Sequence, residues 1–252
     1  MTWYKGLWVR SKQARNLVPE DVCIYAVGDI HGRLDLLLKL TEKILHDSAH
    51  ASEKKQMIVF LGDYIDRGSD SASVIEFLQS TYFRKADAVF LRGNHDQVML
   101  DFLENADVGT DWIQYGGRET LLSYRVAPPG ASATREDWVD CQQTLKSMMP
   151  GTHLEFLRRT RTHFSFGDCF FVHAGVDPKR PIEEQTEAEF LWIRDAFMKS
   201  DKRLSHVIVH GHTPEARPTW DGRRIGIDTG AYLSGCLTAA RISGNSVEFL
   251  ST

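Results

Sequence analysis

One pattern constrains this chain more than any other. A short apolar run rich in Val, Ile or Phe stops abruptly, and Gly, Asp, Asn or His takes over. Val22 to Val27 leads into Gly28-Asp29-Ile30-His31-Gly32, and Met57 to Leu61 into Gly62-Asp63-Tyr64-Ile65-Asp66-Arg67-Gly68. Ala88 to Leu91 leads into Arg92-Gly93-Asn94-His95-Asp96. Later, Cys169 to Val172 ends at His173, His206 to Val209 at His210-Gly211-His212, and Ile225 to Ile227 at Asp228-Thr229-Gly230. Continuous apolar runs of this length predict strands buried on both faces, with the polar groups at the strand tips.

Between the runs the apolar period lengthens. Leu34, Leu37, Leu38, Thr41 and Leu45 fall on one face of a helix expected from about Arg33 to His46. A second is expected over Ser71 to Leu78, with Val74, Ile75 and Leu78 inward and Ser69 or Asp70 as cap. A third is expected over Val98 to Leu103. Strands alternating with helices predict an α/β fold, in which sites collect beyond the carboxyl ends of the strands. All six polar loops are therefore expected to face one crevice. From Asn105 to about Gly151 no strand signal is present. Helical fragments at Arg118–Tyr124 and Trp138–Met148 flank the breaker Ala127-Pro128-Pro129-Gly130-Ala131-Ser132. This stretch reads as a helical cap inserted into a single domain over 1–252, and His206 to Phe249 as short strands closing a second sheet.

Composition narrows the partners. A net charge of −4 over 252 residues argues against a broad nucleic-acid footprint. No run approaches the ~18 apolar residues of a membrane span. Met1 to Arg15 lacks the apolar core of a secretion leader, so a cytoplasmic location is expected, without a membrane or nucleic-acid partner. Trp3, Tyr4 and Trp8 are expected to cover the core edge. Cys23, Cys141, Cys169 and Cys236 are too far apart for the common zinc or redox spacings and carry no expected function.

The strand-tip residues suit metal ions. Asp29 and His31, two apart beyond a strand, can turn to one side, and Asp63, Asn94, His173 and His212 come from other tips. Carboxylate, amide and imidazole together favour Mn²⁺, Fe or Zn²⁺ over Ca²⁺. Taken singly, each piece is weak: Gly-Asp is a turn former, and a lone histidine is more often structural. His46, His50, His153, His163 and His206 take that plain reading. Helix capping does not explain why His31, His95, His173 and His212 all occupy strand tips.

These motifs resemble the phosphoprotein phosphatase family within the calcineurin-like metallophosphoesterases, from about Ile24 to the Asp228-Thr229-Gly230 region. The cap is the poorly matched section. Val209-His210-Gly211-His212-Thr213-Pro214 looks like the bacterial and phage branch; Pro214 stands where many broader members have a second histidine. The resemblance implies a β-sandwich flanked by helices with a dinuclear metal site at the strand C-terminal ends. Asp29 and His31 would hold the first ion, Asp63 would bridge, and Asn94, His173 and His212 would hold the second. Manganese is the first expectation, with iron or zinc as alternatives. His210 and Asp228 are candidates for support of these ligands.

Arginine's planar fork suits phosphate oxygens, so Arg67, Arg92 and Arg194 are the expected phosphate binders. His95, polarised by Asp66, would protonate the leaving alkoxide while water activated between the ions attacks phosphorus in line. The leading expectation is a serine/threonine protein phosphatase. The alternative is a symmetrical bis(5′-nucleosyl)-tetraphosphatase, a group that generally lacks the counterpart of Asp66 but resembles this chain at Ile227–Gly230 and Gly235–Thr238. An inactive scaffold module should have lost ligands, and all six are present. Within Gly116-Gly117-Arg118-Glu119, Arg118 is a candidate substrate contact, an exposed salt pair being the plainer reading. Protein targets and oligomeric state are left open by the chain.

Overall fold

The first expected strand forms as β1 (Val22–Val27), and all six of its side chains are buried. Alternation explains this, since successive side chains point to opposite faces. Ile24 and Ala26 enter a core between two sheets with Val59, Phe171, Val209 and Ile225. Cys23, Tyr25 and Val27 enter a second core against helices. The computed structural model describes residues 16–79, 83 and 87–252; Trp3, Tyr4 and Trp8 lie outside them.

In the first sheet β1 pairs in parallel with β2 (Lys55–Phe60), and β2 with β3 (Asp87–Phe90). In the second, β5 (Cys169–Val172) pairs in parallel with β6 (Val207–His210), and β6 with β8 (Arg224–Gly226). β4 (His163–Phe166) and β7 (Thr219–Trp220) flank this sheet antiparallel. Two layers of sheet lie between two layers of helix, because a third core of Phe170, Val172 and Ile208 packs on Phe190 and Phe197 beyond the second sheet. This is the expected mixed α/β sandwich.

The C-terminal segment departs from expectation. β6 to β8 do build the second sheet, but β9 (Thr238–Ser243) and β10 (Ser246–Ser251) cross back to the first, in the order β10-β9-β1-β2-β3. Pairing with β1 buries Ala240 and Ile242 between the sheets, a long-range gain that local pattern does not encode.

The helices form close to where the period placed them: α1 (Leu34–His50), α2 (Ser71–Leu78) and α3 (Asn94–Glu104). α3 starts a turn earlier than expected, putting Asn94 and His95 in its first turn. The Asp96 carboxylate accepts the Gly93 N–H at 2.8 Å and so closes the helix start. Helices in the inserted region cover Gly109–Trp112, Gly117–Ser123 and Arg135–Met148, and the helical run continues through Gly151–Arg159. Trp112, Leu121, Trp138, Leu145 and Leu157 share the α1–α2 core, so the insertion packs continuously with the sandwich. The four cysteines are free, and burial pushes the Cys169 thiol up to about 12.

Candidate active site

Each parallel strand delivers its polar tip to the same end of the sandwich. Asp29 and His31 follow β1, Asp63 follows β2, and Asn94 opens α3 after β3. His173 and His212 follow β5 and β6. All six are buried. The Asp63 carboxylate lies at the centre: its Oδ2 is 3.5 Å from both His31 Nε2 and His173 Nε2 and 4.0 Å from His95 Nε2. His173 Nε2 also faces Asn94 Oδ1 at 2.9 Å and His212 Nδ1 at 3.1 Å. Asp29 accepts the His212 backbone N–H on both oxygens, at 3.2 and 3.1 Å.

The backbone here is strained in a consistent way. His31, Asp63, Asp66, Arg67 and His212 have left-handed φ of 47, 51, 71, 69 and 63°. Such conformations cost of order 1–3 kcal/mol each in non-glycine residues and persist where surrounding contacts over-determine them. Here the Asp96 carboxylate takes the N–H groups of Asp63 and Tyr64 at 2.9 and 3.1 Å. Gly93 and Gly211 allow close approach: a Cβ on Gly93 would lie 2.0 Å from Asp63 Oδ1, and one on Gly211 2.1 Å from Asp29 Oδ1.

The donor set fits divalent cations. His31 Nδ1 donates to the Ile65 carbonyl and His173 Nδ1 to the Leu61 carbonyl, both at 2.9 Å, leaving each Nε2 lone pair toward Asp63. Burial disfavours the protonated rings, lowering His31 to about 3 and His212 to about 2. Asp29 is raised well above the carboxylate range by burial, then by the charges of Asp228 and Asp63. Burial opposes ionisation of Asp63 too, but the imidazoles of His173, His95 and His31 hold it below its ordinary value. Carboxylates and imidazole lone pairs clustered in burial are an arrangement that a cation completes. Among the described residues, two groups could hold a metal ion: His31, Asp63 and His95, and Asp63, His173 and His212.

The remaining expected residues divide. His95 Nδ1 donates to Asp66 Oδ2 at 2.7 Å, and both residues are buried. Burial disfavours the imidazolium, but the charge of Asp63 and the bond to Asp66 outweigh it and raise His95 above 6.5. Arg67 spans the two imidazoles, with Nη1 3.3 Å from His31 Nε2 and Nη2 3.2 Å from His95 Nε2. Arg194 Nε donates to His212 Nε2 at 2.9 Å, from the opposite side.

Arg92 is turned away from these groups. Its Nε donates to Thr160 Oγ1 at 3.1 Å, Nη1 to Gln97 at 2.9 Å, and Nη2 to the carbonyls of Arg158 and Thr160 at 3.2 Å. The open carbonyls ending helix Gly151–Arg159 attract the guanidinium more strongly than an exposed position at the cleft, which corrects its expected aim. Arg118 is exposed. His210 Nδ1 lies 3.1 Å from the Gly211 carbonyl, and its ring packs edge-on against Phe197, outside the ligand cluster. Asp228 is buried, raised to about 6 by burial first.

Sequence reasoning passed over Tyr232, whose ring lies 4.5 Å from the Arg67 guanidinium and edge-on to His31 at 5.3 Å. Nothing local marks it, since it stands on the one-turn helix Ala231–Ser234 from the far C-terminal region. Asp96 was equally unassigned, although its place at the end of Gly93-Asn94-His95-Asp96 is a signal that could have found it.

The sequence signature of the calcineurin-like phosphoesterases matches residues 24–236, and the chain belongs to that family of phosphoester hydrolases, whose members use dinuclear divalent-metal sites. Among curated relatives, proteins named asymmetrical bis(5′-nucleosyl)-tetraphosphatase PrpE from Bacillus thuringiensis (strain Al Hakam) and Geobacillus sp. (strain WCH70) are each 28% identical, over 85% of this chain and 88% of theirs. Among solved structures, a candidate diadenosine tetraphosphatase is similar over 94% of this chain and 98% of its own, with TM-score 0.58 and 19% identity. A cold-active protein-tyrosine phosphatase of Shewanella sp. matches over 95% and 85%, with TM-score 0.54 and 19% identity. A serine/threonine phosphatase from Saccharomyces cerevisiae matches over 94% and 84%, with TM-score 0.53 and 15% identity. At these identities the structural likenesses speak to the fold.

Proposed function

We propose that this chain hydrolyses phosphomonoesters whose leaving group is an alkoxide, and that its substrates are phosphoserine and phosphothreonine side chains. The observation that carries the reading is the buried Asp66–His95 pair, 2.7 Å apart, with His95 Nε2 beside Arg67. A serine or threonine alkoxide is too basic to leave unprotonated, so its ester needs a positioned acid, typically worth ~10²–10⁴-fold in rate. A nucleotide leaving from a polyphosphate departs as a stable anion and needs one far less.

In this scheme Arg67 and Arg194 bind the non-bridging phosphate oxygens from opposite sides, and Arg92 takes no part. His95 gives its Nε2 proton to the departing oxygen while its Nδ1–H stays on Asp66. Asp29, His31 and Asp63 would hold one divalent ion, and Asp63, Asn94, His173 and His212 the other, with manganese first in order. When bound, such ions supply Lewis-acid charge and lower the pKa of water.

The relatives' names favour a second reading, cleavage of a dinucleoside tetraphosphate, in the asymmetrical mode rather than the symmetrical one expected as the alternative. The test is hydrolysis of a phosphothreonine peptide beside diadenosine tetraphosphate by manganese-loaded protein, with Asp63→Asn as control. Preference for the peptide, lost in the variant, supports the proposal. Preference for the dinucleotide overturns it, and products of ATP plus AMP rather than ADP would mark the asymmetrical mode.

A further inference from the structure

The inserted region reaches the acid pair directly. Asp66 is fully buried, and its two carboxylate oxygens are held by different partners. Oδ2 accepts His95 Nδ1–H at 2.7 Å and the Trp112 indole N–H at 2.9 Å. Oδ1 accepts the Thr120 hydroxyl at 2.6 Å. The same Thr120 oxygen accepts the Asp66 backbone N–H at 2.9 Å, assisted by Ser71 Oγ at 3.1 Å. One threonine thus clamps both the carboxylate and the backbone of a residue whose φ is 71°.

Trp112 and Thr120 are brought here by Gly116-Gly117, the pair whose significance the sequence left open. Gly116 takes φ 108°, and its carbonyl accepts the Arg67 N–H at 3.1 Å. A Cβ on Gly116 would fall 2.5 Å from Arg67 N, and one on Gly117 2.6 Å from the Trp112 ring. The segment therefore lies flush against the loop that carries Asp66 and Arg67, and larger residues would lift it off. Arg118, between these glycines and Thr120, points outward.

We propose that Trp112 and Thr120 are positioning residues for the acid step: they orient the Asp66 carboxylate, which orients His95. A carboxylate with both oxygens engaged does not rotate, so His95 keeps Nδ1 protonated and Nε2 aimed along one line. The insertion is then part of the catalytic apparatus, in addition to any role as a specificity cap. Thr120→Val keeps the shape but removes the hydroxyl that bonds both the carboxylate and the Asp66 N–H, and Trp112→Phe removes the indole N–H with part of the ring.

This rests on His95 acting as the acid, so the experiment includes His95→Asn. Each protein, loaded with manganese, is assayed on a phosphothreonine peptide, whose leaving group needs a proton, and on p-nitrophenyl phosphate, whose leaving group scarcely does. Thr120→Val and Trp112→Phe should lower kcat on the peptide by about tenfold or more, with KM within about twofold and little change on p-nitrophenyl phosphate. Thr120→Ser should restore peptide kcat. A purely structural role would depress both substrates together, and that result overturns the proposal. Full peptide activity in both variants, with leaving-group dependence present in His95→Asn, also overturns it. No leaving-group dependence in His95→Asn itself defeats the acid reading under Proposed function instead. If Thr120→Val does not fold, Trp112→Phe and Thr120→Ser decide the matter alone.

Discussion

Replacing Arg92 by methionine separates a strut from a phosphate ligand. Its guanidinium ties three places together: Gln97 on α3, the Thr160 hydroxyl, and the carbonyls of Arg158 and Thr160 that end helix Gly151–Arg159. Hydrogen bonds from a charged group contribute about 1.5–3 kcal/mol each when buried, and a cation at a helix C-terminus adds about 0.3–1 kcal/mol. The group is only part-buried, water replaces some of these bonds, and methionine retains much of the apolar stem contact. The net expected loss is then about 2–3 kcal/mol. For a chain of this size each kcal/mol moves Tm by about 2–4 °C, so a fall of about 5–10 °C is expected. Steady-state kinetics on p-nitrophenyl phosphate, run well below the new Tm, should show KM and kcat within about threefold of the parent. Arg67→Met should do the reverse, raising KM strongly with little loss of Tm, because Arg67 faces His31 and His95 in the cleft. An unchanged Tm in Arg92→Met with KM raised tenfold would refute the reasoning and return Arg92 to the phosphate.

Gly211→Ala puts a methyl group where Asp29 now lies, 2.1 Å from Oδ1. Elemental analysis should find one divalent ion per chain lost and hydrolysis reduced by about 10²-fold or more; full metal content with parental kcat would contradict the packing argument. Glu53 links pH to stability, since the Ser243 hydroxyl and Arg241, the latter at 2.8 Å, hold its carboxyl below the ordinary 4.5. The folded chain binds that proton more weakly than the unfolded one, so the stabilisation is complete above about pH 4.5 and fades as pH falls through the lower folded value. Urea titrations of Glu53→Gln should show lower stability near neutral pH and a shallower acid decline than the parent; parallel acid limbs would count against it.

Much of the site was legible because its chemistry is tied to local punctuation. Asp29, His31, Asp63, Asn94, His173 and His212 each follow an apolar run, and strand tips in a parallel sheet share one end. The bounds of α2 were readable from Val74, Ile75 and Leu78, spaced for one helix face. Other features had no local signature. β9 and β10 carry an alternation that suits either sheet, and only pairing with β1 decides between them. Arg92 stands in a motif that also holds Asn94 and His95, yet its side chain answers to carbonyls from residues 158 and 160. Trp112 and Thr120 look like ordinary helix residues until the fold sets them against Asp66.

The order of elements, the candidate metal donors and the residue types of the Asp66–His95 pair are properties of the sequence, since residue type and apolar period act over a few neighbouring positions. Their convergence is not. His31, Asp63, Asp66, Arg67 and His212 hold left-handed backbone conformations that their own local preferences oppose. What keeps them there comes from elsewhere in the chain: the Asp96 carboxylate under Asp63 and Tyr64, the Thr120 and Ser71 oxygens on the Asp66 N–H, the Gly116 carbonyl on Arg67, and the Asp29 carboxylate on His212. Those contacts exist only once the strands, the insertion and α3 are packed together, so the site's final geometry was decided by tertiary structure.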